Sequence, residues 1–311
     1  MKFSLQLDNV VKKFGHLKAL DGITLTVNEG EVFAYIGPNG SGKSTTIRVL
    51  LGILKATSGN AKVLGMDAWK SATEIHKRIA YVSGDVNLWP NLTGGEVIDL
   101  FVSLRGTYNK ELRDKLVRDF DLDATKKCRT YSKGNRQKVA LIATFASNAD
   151  LFILDEPTSG LDPLMEQVFQ ACIIEQKNNG KSVFLSSHIM SEVERLCDRV
   201  GIIRDGKLVE TGTLHDLRHL TRYHMEIVTI REPEGIERIT GIHNLSVSQK
   251  NISFEVDTDE LDAVIRHISQ FGIQKIESAP PSLEELFMRH YDTSTDLKSD
   301  THVAVAQRRS W

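Results

Sequence analysis

One stretch constrains this chain more than any other: Gly37, Pro38, Asn39, Gly40, Ser41, Gly42, Lys43, Ser44, Thr45. Before it runs Glu31–Ile36, an apolar segment rich in strand formers, and after it Thr46–Leu51 reads as a helix. Strand, glycine-rich loop and helix is the context in which G-x-x-x-x-G-K-[ST] forms a phosphate-binding loop. Glycines let the backbone take positive φ and bring N–H groups close to a phosphate. The helix N-terminus adds partial positive charge at the same place. Lys43 is expected to reach the β- and γ-phosphates of a nucleotide, and the Ser44 hydroxyl to bind Mg²⁺. A strand–helix turn that merely needs glycine would not require all of Gly37, Gly42, Lys43 and Ser44. The loop implies a nucleoside triphosphate and a metal; it does not say what hydrolysis drives.

With 311 residues the chain has room for one large domain and a smaller one. Lys plus Arg number 39 against 41 Asp plus Glu, a balance that offers no global field for nucleic acid or anionic lipid. No apolar run reaches the length of a membrane span, and residues 1–30 lack the apolar core of a signal peptide. The expected location is therefore the cytoplasm, with any membrane role supplied by a partner that spans. Cys128, Cys172 and Cys197 have neither ligand nor disulfide spacing and read as small half-buried thiols in a reducing compartment.

Residues 3–7 and 23–27 alternate apolar and polar, predicting antiparallel strands with one covered face. Between them Phe14 is either a core residue or an aromatic face for a base, a stacking worth about 1–3 kcal/mol. Residues 78–82 predict a short strand, followed by a loop through Trp89 and Leu92 to Thr93. Thr93 is placed to cap a helix with Val97, Ile98, Leu100, Phe101 and Leu104 on one stripe. A second helix is predicted over 110–122, making about 93–145 a mostly helical insert in an α/β core. Near its end, Tyr131–Lys138 reads as a polar helix start capped by Ser132, and Val139–Ala146 as its buried continuation. Leu151–Glu156 is an apolar strand ending in two carboxylates, a placement that suits metal and water chemistry beside a phosphate loop. A tight turn, a helix, a strand over 182–187 ending at His188, and a hairpin around Asp205-Gly206 complete the unit.

These pieces, in this order and spacing, resemble the ATP-binding subunit of an ABC transporter over residues 3–215. Gly37–Thr45 resembles the Walker A loop and Leu151–Glu156 Walker B. Tyr131–Gln137 is similar to the signature loop, Ser159–Asp162 to the D-loop, His188 to the switch histidine, and Phe14 stands where the family's adenine-stacking aromatic stands. The resemblance implies an α/β P-loop NTPase fold, an ABC-type nucleotide-binding domain with an antiparallel β-subdomain and a helical insert, over residues 1–215. It implies ATP as substrate and Mg²⁺ as cofactor, with Asp155 on the metal's water shell and Glu156 as general base. It also implies that His188 contacts the γ-phosphate, that Ser132 and Gly134 close over ATP held by a second protomer, and that Asp162 couples the two sites.

Two departures from the family pattern stand out. The signature reads Ser-Lys-Gly-Asn rather than Ser-Gly-Gly-Gln, so Lys133 either brings charge near a partner's phosphate or points to solvent. Where the family usually carries a glutamine or glutamate in the lid loop, the chain has Gly84; Asp85, one residue on, is expected to take the metal-facing role.

After residue 215 the pattern changes. Strands over 224–230, 244–248, 252–256 and 273–277, with helices over 233–240 and 259–271, give βαββαβ, a small C-terminal α+β ferredoxin-like domain within 216–290. Pro281–Phe287 resembles the ending common in ATPases of bacterial exporters with ABC-2-type permeases. Residues 291–311 read as a flexible tail. The function implied is ATP hydrolysis powering transport, by resemblance export, through a separate ABC-2-type transmembrane permease. The chain would work as a homodimer or heterodimer of ATPase subunits, peripheral on the inner face of the cell membrane, with no nucleic acid. Trp89 and Leu92 would either anchor the permease or pack within the insert. The alternative is a soluble ABC ATPase acting on the ribosome or DNA, which the single P-loop, the short insert and the absence of a basic stripe disfavour. A kinase would share the P-loop but leave residues 131–137 and His188 unexplained.

Overall fold

The alternating residues at the start of the chain build a longer antiparallel pair than residues 3–7 and 23–27 predict: β1 (Phe3–Phe14) and β2 (Leu17–Asn28). This is a computed structural model, and it describes residues 2–104, 109–219 and 222–279. The core strand β3 (Val32–Ile36) follows, buried throughout, then the phosphate loop and α1 (Lys43–Leu50). Next come β4 (Ser58–Val63), β5 (Met66–Asp67) and α2 (Ala72–His76), for which the sequence carried no clear signal. Most of β4 is exposed, so no apolar alternation marks it; it is a strand because its backbone pairs with β1, Leu5 opposite Val63 and Val11 opposite Ser58. After β6 (Ile79–Val82) the insert contributes α3 (Gly94–Ser103), α4 (Lys110–Asp119) and α5 (Lys133–Phe145). Thr93 and Glu96 form a reciprocal capping box at the start of α3, which fixes where that helix begins.

The remainder of the first unit is β7 (Leu151–Asp155), α6 (Pro163–Asn178), β8 (Ser182–Ser187), α7 (Met190–Leu196), β9 (Arg199–Arg204) and β10 (Lys207–Thr213). An antiparallel sheet runs β2-β1-β4-β5, and a second sheet runs β10-β9-β3-β8-β7-β6. In the second sheet β9, β3, β8, β7 and β6 are parallel neighbours. Strands covered on both faces read as continuous apolar runs, which is why Val32–Ile36 and Leu151–Leu154 lack alternation. Phe33 and Phe184 stack at 5.9 Å between two of these strands. All three cysteines are buried and free.

The stripe expected along α3 divides. Val97 and Ile98 are buried, whereas Leu100, Phe101 and Leu104 are exposed, the last by 73 %. No helix among the described residues is long and apolar enough to cross a membrane.

The chain divides near the end of β10, between Thr211 and Gly212. The second unit holds α8 (Leu214–His219), β11 (Tyr223–Thr229), β12 (Ile242–Ser248), β13 (Asn251–Val256), α9 (Leu261–Ser269) and β14 (Ile273–Ala279). Its antiparallel sheet runs β12-β13-β11-β14, which places the first and third strands at the centre as a ferredoxin-like order requires. The helix expected over 233–240 is only a 3-10 turn, Ile236–Arg238, because Gly235 at φ +76 lies outside helical space. Val264 and Ile268 of α9 are buried with Met225, Ile227, Phe254 and Val256 in a core of their own. The segment Pro281–Phe287 and the tail over 291–311 lie outside the described residues.

Candidate functional site

Register brings the site together. Ile36 pairs with Ser187 and Asp155 with Ser186, so the segments leaving β3, β7 and β8 emerge side by side at the carboxyl edge of the parallel sheet. Gly37–Thr45 leaves β3 and enters α1 with Gly42 at φ +114, a conformation that a side chain would strain. No acidic residue occupies the first turn of α1, so nothing there competes with an anion for the N–H groups that a helix start leaves unpaired. Lys43 is buried and its Nζ donates to Gly37 O at 2.6 Å and Pro38 O at 3.2 Å, which folds the loop around the ammonium. Burial lowers its pKa, while Glu156 and Asp155 act in the opposite sense. Ser41 Oγ is buried without a hydrogen-bond partner, one of only two such side-chain oxygens or nitrogens among the described residues. An orphaned hydroxyl, a buried lysine and an open helix start form a cradle that a phosphate would complete.

The acidic side of the cradle is the end of β7. Asp155 is buried, and its Oδ1 accepts from Ser186 Oγ at 2.6 Å, which orients the carboxylate and leaves Oδ2 for other work. Ser44 is exposed at the loop's rim. No cluster of three His, Cys, Asp or Glu exists among the described residues. A hydroxyl and one carboxylate are hard oxygen donors of the kind Mg²⁺ takes when substrate phosphates and water fill its other positions. Glu156 follows at φ +46, an uncommon conformation for a residue with a side chain. The N–H of Glu156 donates to Ser186 O and Ser186 Oγ, both at 3.1 Å. Its Oε1 stands 3.9 Å from Lys43 Nζ and 3.8 Å from His188 Nδ1.

In the lid loop, Gly84 rather than Asp85 lies against this face: a Cβ there would stand 3.3 Å from Asp155 O and 3.7 Å from Glu156 Cβ. Asp85 is exposed and lines a neighbouring cavity of about 460 Å³ with Leu51, Tyr81, Phe101 and Val139. Ile53, also in the lining, is exposed at the rim of that cavity. Trp89 is exposed but its ring packs tilted against Phe101 at 5.9 Å, while Leu92 is half-buried.

Phe14 is 48 % exposed at the end of β1, which removes the core reading, and Lys12 Nζ lies 5.0 Å from its ring centroid. Ser132 caps α5 by accepting from Asn135 N at 3.3 Å. Lys133 is exposed, in keeping with the solvent reading, and its Nζ donates to Ser159 Oγ at 2.7 Å, tying the signature-like segment to the turn after β7. Gly134 packs so closely that any Cβ would collide with the Gly160 carbonyl oxygen. Gln137 Nε2 donates to Pro157 O at 2.8 Å in the buried layer beneath. Asp162 caps α6 through the N–H groups of Leu164 and Met165. Sequence reasoning missed Ser186 and Glu192. Only Ser186 carried a signal, as a serine at the end of a buried strand pointing at the carboxylate site.

Against known proteins, residues 20–159 match the family model described as ABC transporter, and residues 212–291 match that of the ATP-binding protein DrrA1-3-like C-terminal domain. The bacitracin transport ATP-binding protein BcrA of Bacillus licheniformis is 30 % identical over 307 residues, covering 93 % of this chain and 97 % of that protein. A solved ATP-binding subunit of an ABC transporter superposes with a TM-score of 0.65 at 31 % identity, covering 70 % of this chain and 92 % of the other. A dimeric ATP-binding cassette in a post-hydrolysis state with ADP and Pi superposes with a TM-score of 0.62 at 26 % identity, covering 68 % and 98 %.

Proposed function

The chain belongs to the family of ABC transporter ATP-binding proteins, and on that premise we propose that two copies clamp and hydrolyse ATP to drive export through a separate membrane permease of the ABC-2 type. The observation that carries the hydrolytic part is the position of Glu156 Oε1, 3.9 Å from the phosphate-loop lysine and 3.8 Å from His188. A carboxylate so placed can accept a proton from a water attacking the γ-phosphate, in line with the leaving oxygen. Lys43, Ser41 and the backbone of Gly37–Thr45 hold the β- and γ-phosphates, and Phe14 stacks on the adenine. Ser44 and Asp155 would hold Mg²⁺, which would neutralise charge on the phosphate oxygens. His188 orients the γ-phosphate. Ser132 and Gly134, at the start of α5, close over the ATP of the second copy, and Asp162 couples the two sites through the turn it caps.

The export reading draws on the match of the second unit to the DrrA-like domain and on the bacitracin transport relative. The apolar rim formed by Ile53, Trp89, Leu100, Phe101 and Leu104 is the surface offered to the permease, which brings the chain to the inner face of the membrane. The test is ATP hydrolysis and ATP-dependent dimerisation of the purified chain beside Glu156→Gln. Removing a general base is expected to cut turnover by about 10²–10⁴-fold while ATP binding survives, so the variant should accumulate as an ATP-bound dimer in size-exclusion chromatography. A Glu156→Gln chain that turns over ATP at the wild-type rate would sink the assignment.

A further inference from the structure

Glu192 stands in the first turn of α7, only 4 % exposed. Its Oε2 accepts from Ser187 Oγ at 2.8 Å and from Thr158 Oγ1 at 3.4 Å, whereas Oε1 has no partner. Ser187 is the residue before His188, and Thr158 is the second residue after Glu156. Ser187 Oγ also accepts from Ile189 N at 3.0 Å, so one hydroxyl grips the chain on both sides of His188. A buried carboxyl with an orphaned oxygen is an expensive way to fill space, and a leucine there would carry no desolvation cost. Burial pushes the pKa of Glu192 up and the charge of Glu166 adds to this, while the Ser187 and Thr158 hydroxyls oppose. The carboxyl touches neither the phosphate cradle nor the metal-side oxygens. It spans instead the two segments that carry the hydrolytic pair.

We propose that Glu192 is a positioning residue for ATP hydrolysis: it ties the segment bearing His188 to the turn following Glu156, and so holds Glu156 Oε1 and His188 Nδ1 at their 3.8 Å approach. The inference rests on the roles given above to Glu156 and His188. Loss of the tie lets the two groups drift, and a misplacement of about 1 Å can cost on the order of 10²-fold in rate. Because the tie bears on orientation and not on the phosphate loop, it acts on turnover and leaves nucleotide binding alone.

The experiment compares kcat, KM and equilibrium ATP binding of the full chain for wild type, Glu192→Ala, Glu192→Gln, Ser187→Ala, His188→Ala and the double variant Glu192→Ala/His188→Ala. Glu192→Ala is expected to lower kcat at least about tenfold with ATP affinity within about threefold of wild type. Glu192→Gln keeps an oxygen that accepts from both hydroxyls, so its kcat should stay within about threefold. Ser187→Ala should fall in the direction of Glu192→Ala. In the His188→Ala background the further loss from Glu192→Ala should be less than about twofold, as for residues that act as a unit. A Glu192→Ala chain with kcat within twofold of wild type, a loss that multiplies in full with that of His188→Ala, or a matching loss of ATP binding overturns the proposal. Should Glu192→Ala not fold, Ser187→Ala decides, and wild-type turnover there overturns it too. An inactive wild type removes the underlying reading and this inference with it; an active wild type beside an active Glu192→Ala removes this inference alone.

Discussion

Single residues decide the chemistry where the lid loop passes the strand end. Gly84 offers no side chain to the face formed by Asp155 and Glu156, and a Cβ there would stand 3.3 Å from Asp155 O, so the strand end must give by a few tenths of an ångström to accept one. Asp85 is then the carboxylate on this loop that could serve the metal side, and it reaches toward the groove. If it serves the metal, Asp85→Ala should cut ATP hydrolysis more than about tenfold, and Gly84→Gln in the same background should restore part of the rate by supplying a polar group between the two acids. A steady-state phosphate-release assay checks both; hydrolysis by Asp85→Ala within twofold of wild type would leave Asp85 to the groove. The phosphate loop and the carboxylates of Walker B type were legible because each is a local pattern of residue types in a recognisable strand or helix context. Lys133 and Glu192 were not legible. Their meaning comes from Ser159 and Thr158, 26 and 34 positions away, and contacts at that separation leave no trace in local spacing.

The same contrast holds for whole elements. Strands buried on both faces and helices with explicit caps were readable, with boundaries moved by up to three residues. What escaped was the exposed strand β4 and the far ends of β1 and β2, where Lys12 and Lys13 continue a ladder that only the partner strand demands. The helical insert depends on a different local device. Thr93 accepts from the N–H of Glu96 while Glu96 Oε2 accepts from the N–H of Thr93 at 2.7 Å, and these bonds hold the Glu96 carboxyl below its ordinary range. Thr93→Ala removes the cap, and the expected cost is about 1 kcal/mol. In thermal unfolding this should appear as a fall of roughly 2–4 °C, with Thr93→Ser close to wild type. An unchanged midpoint for Thr93→Ala would mean that packing of Val97 and Ile98 alone sets the start of α3.

At the scale of the whole molecule, an ATP engine needs a surface through which closure is felt elsewhere, because a ligand shifts an equilibrium only by binding its states unequally. The parallel sheet is covered on both faces and its carboxyl edge is taken up by the phosphate cradle. The exposed apolar residues of α3 are different. Phe101 lines the cavity that also contains Asp85, and exposed Leu100 on the same helix and Leu104 at its end extend that apolar surface along the insert. Apolar side chains left in water at such a rim are costly unless a partner covers them. Charging the rim by Leu100→Asp together with Leu104→Asp should therefore abolish copurification with the permease from detergent-solubilised membranes. Both positions are exposed, Leu104 by 73 %, so the melting temperature should hold within about 2 °C of wild type. Retained copurification would move the docking surface off α3, whereas a fall in melting temperature would show that the exposed half of the stripe supports the insert itself.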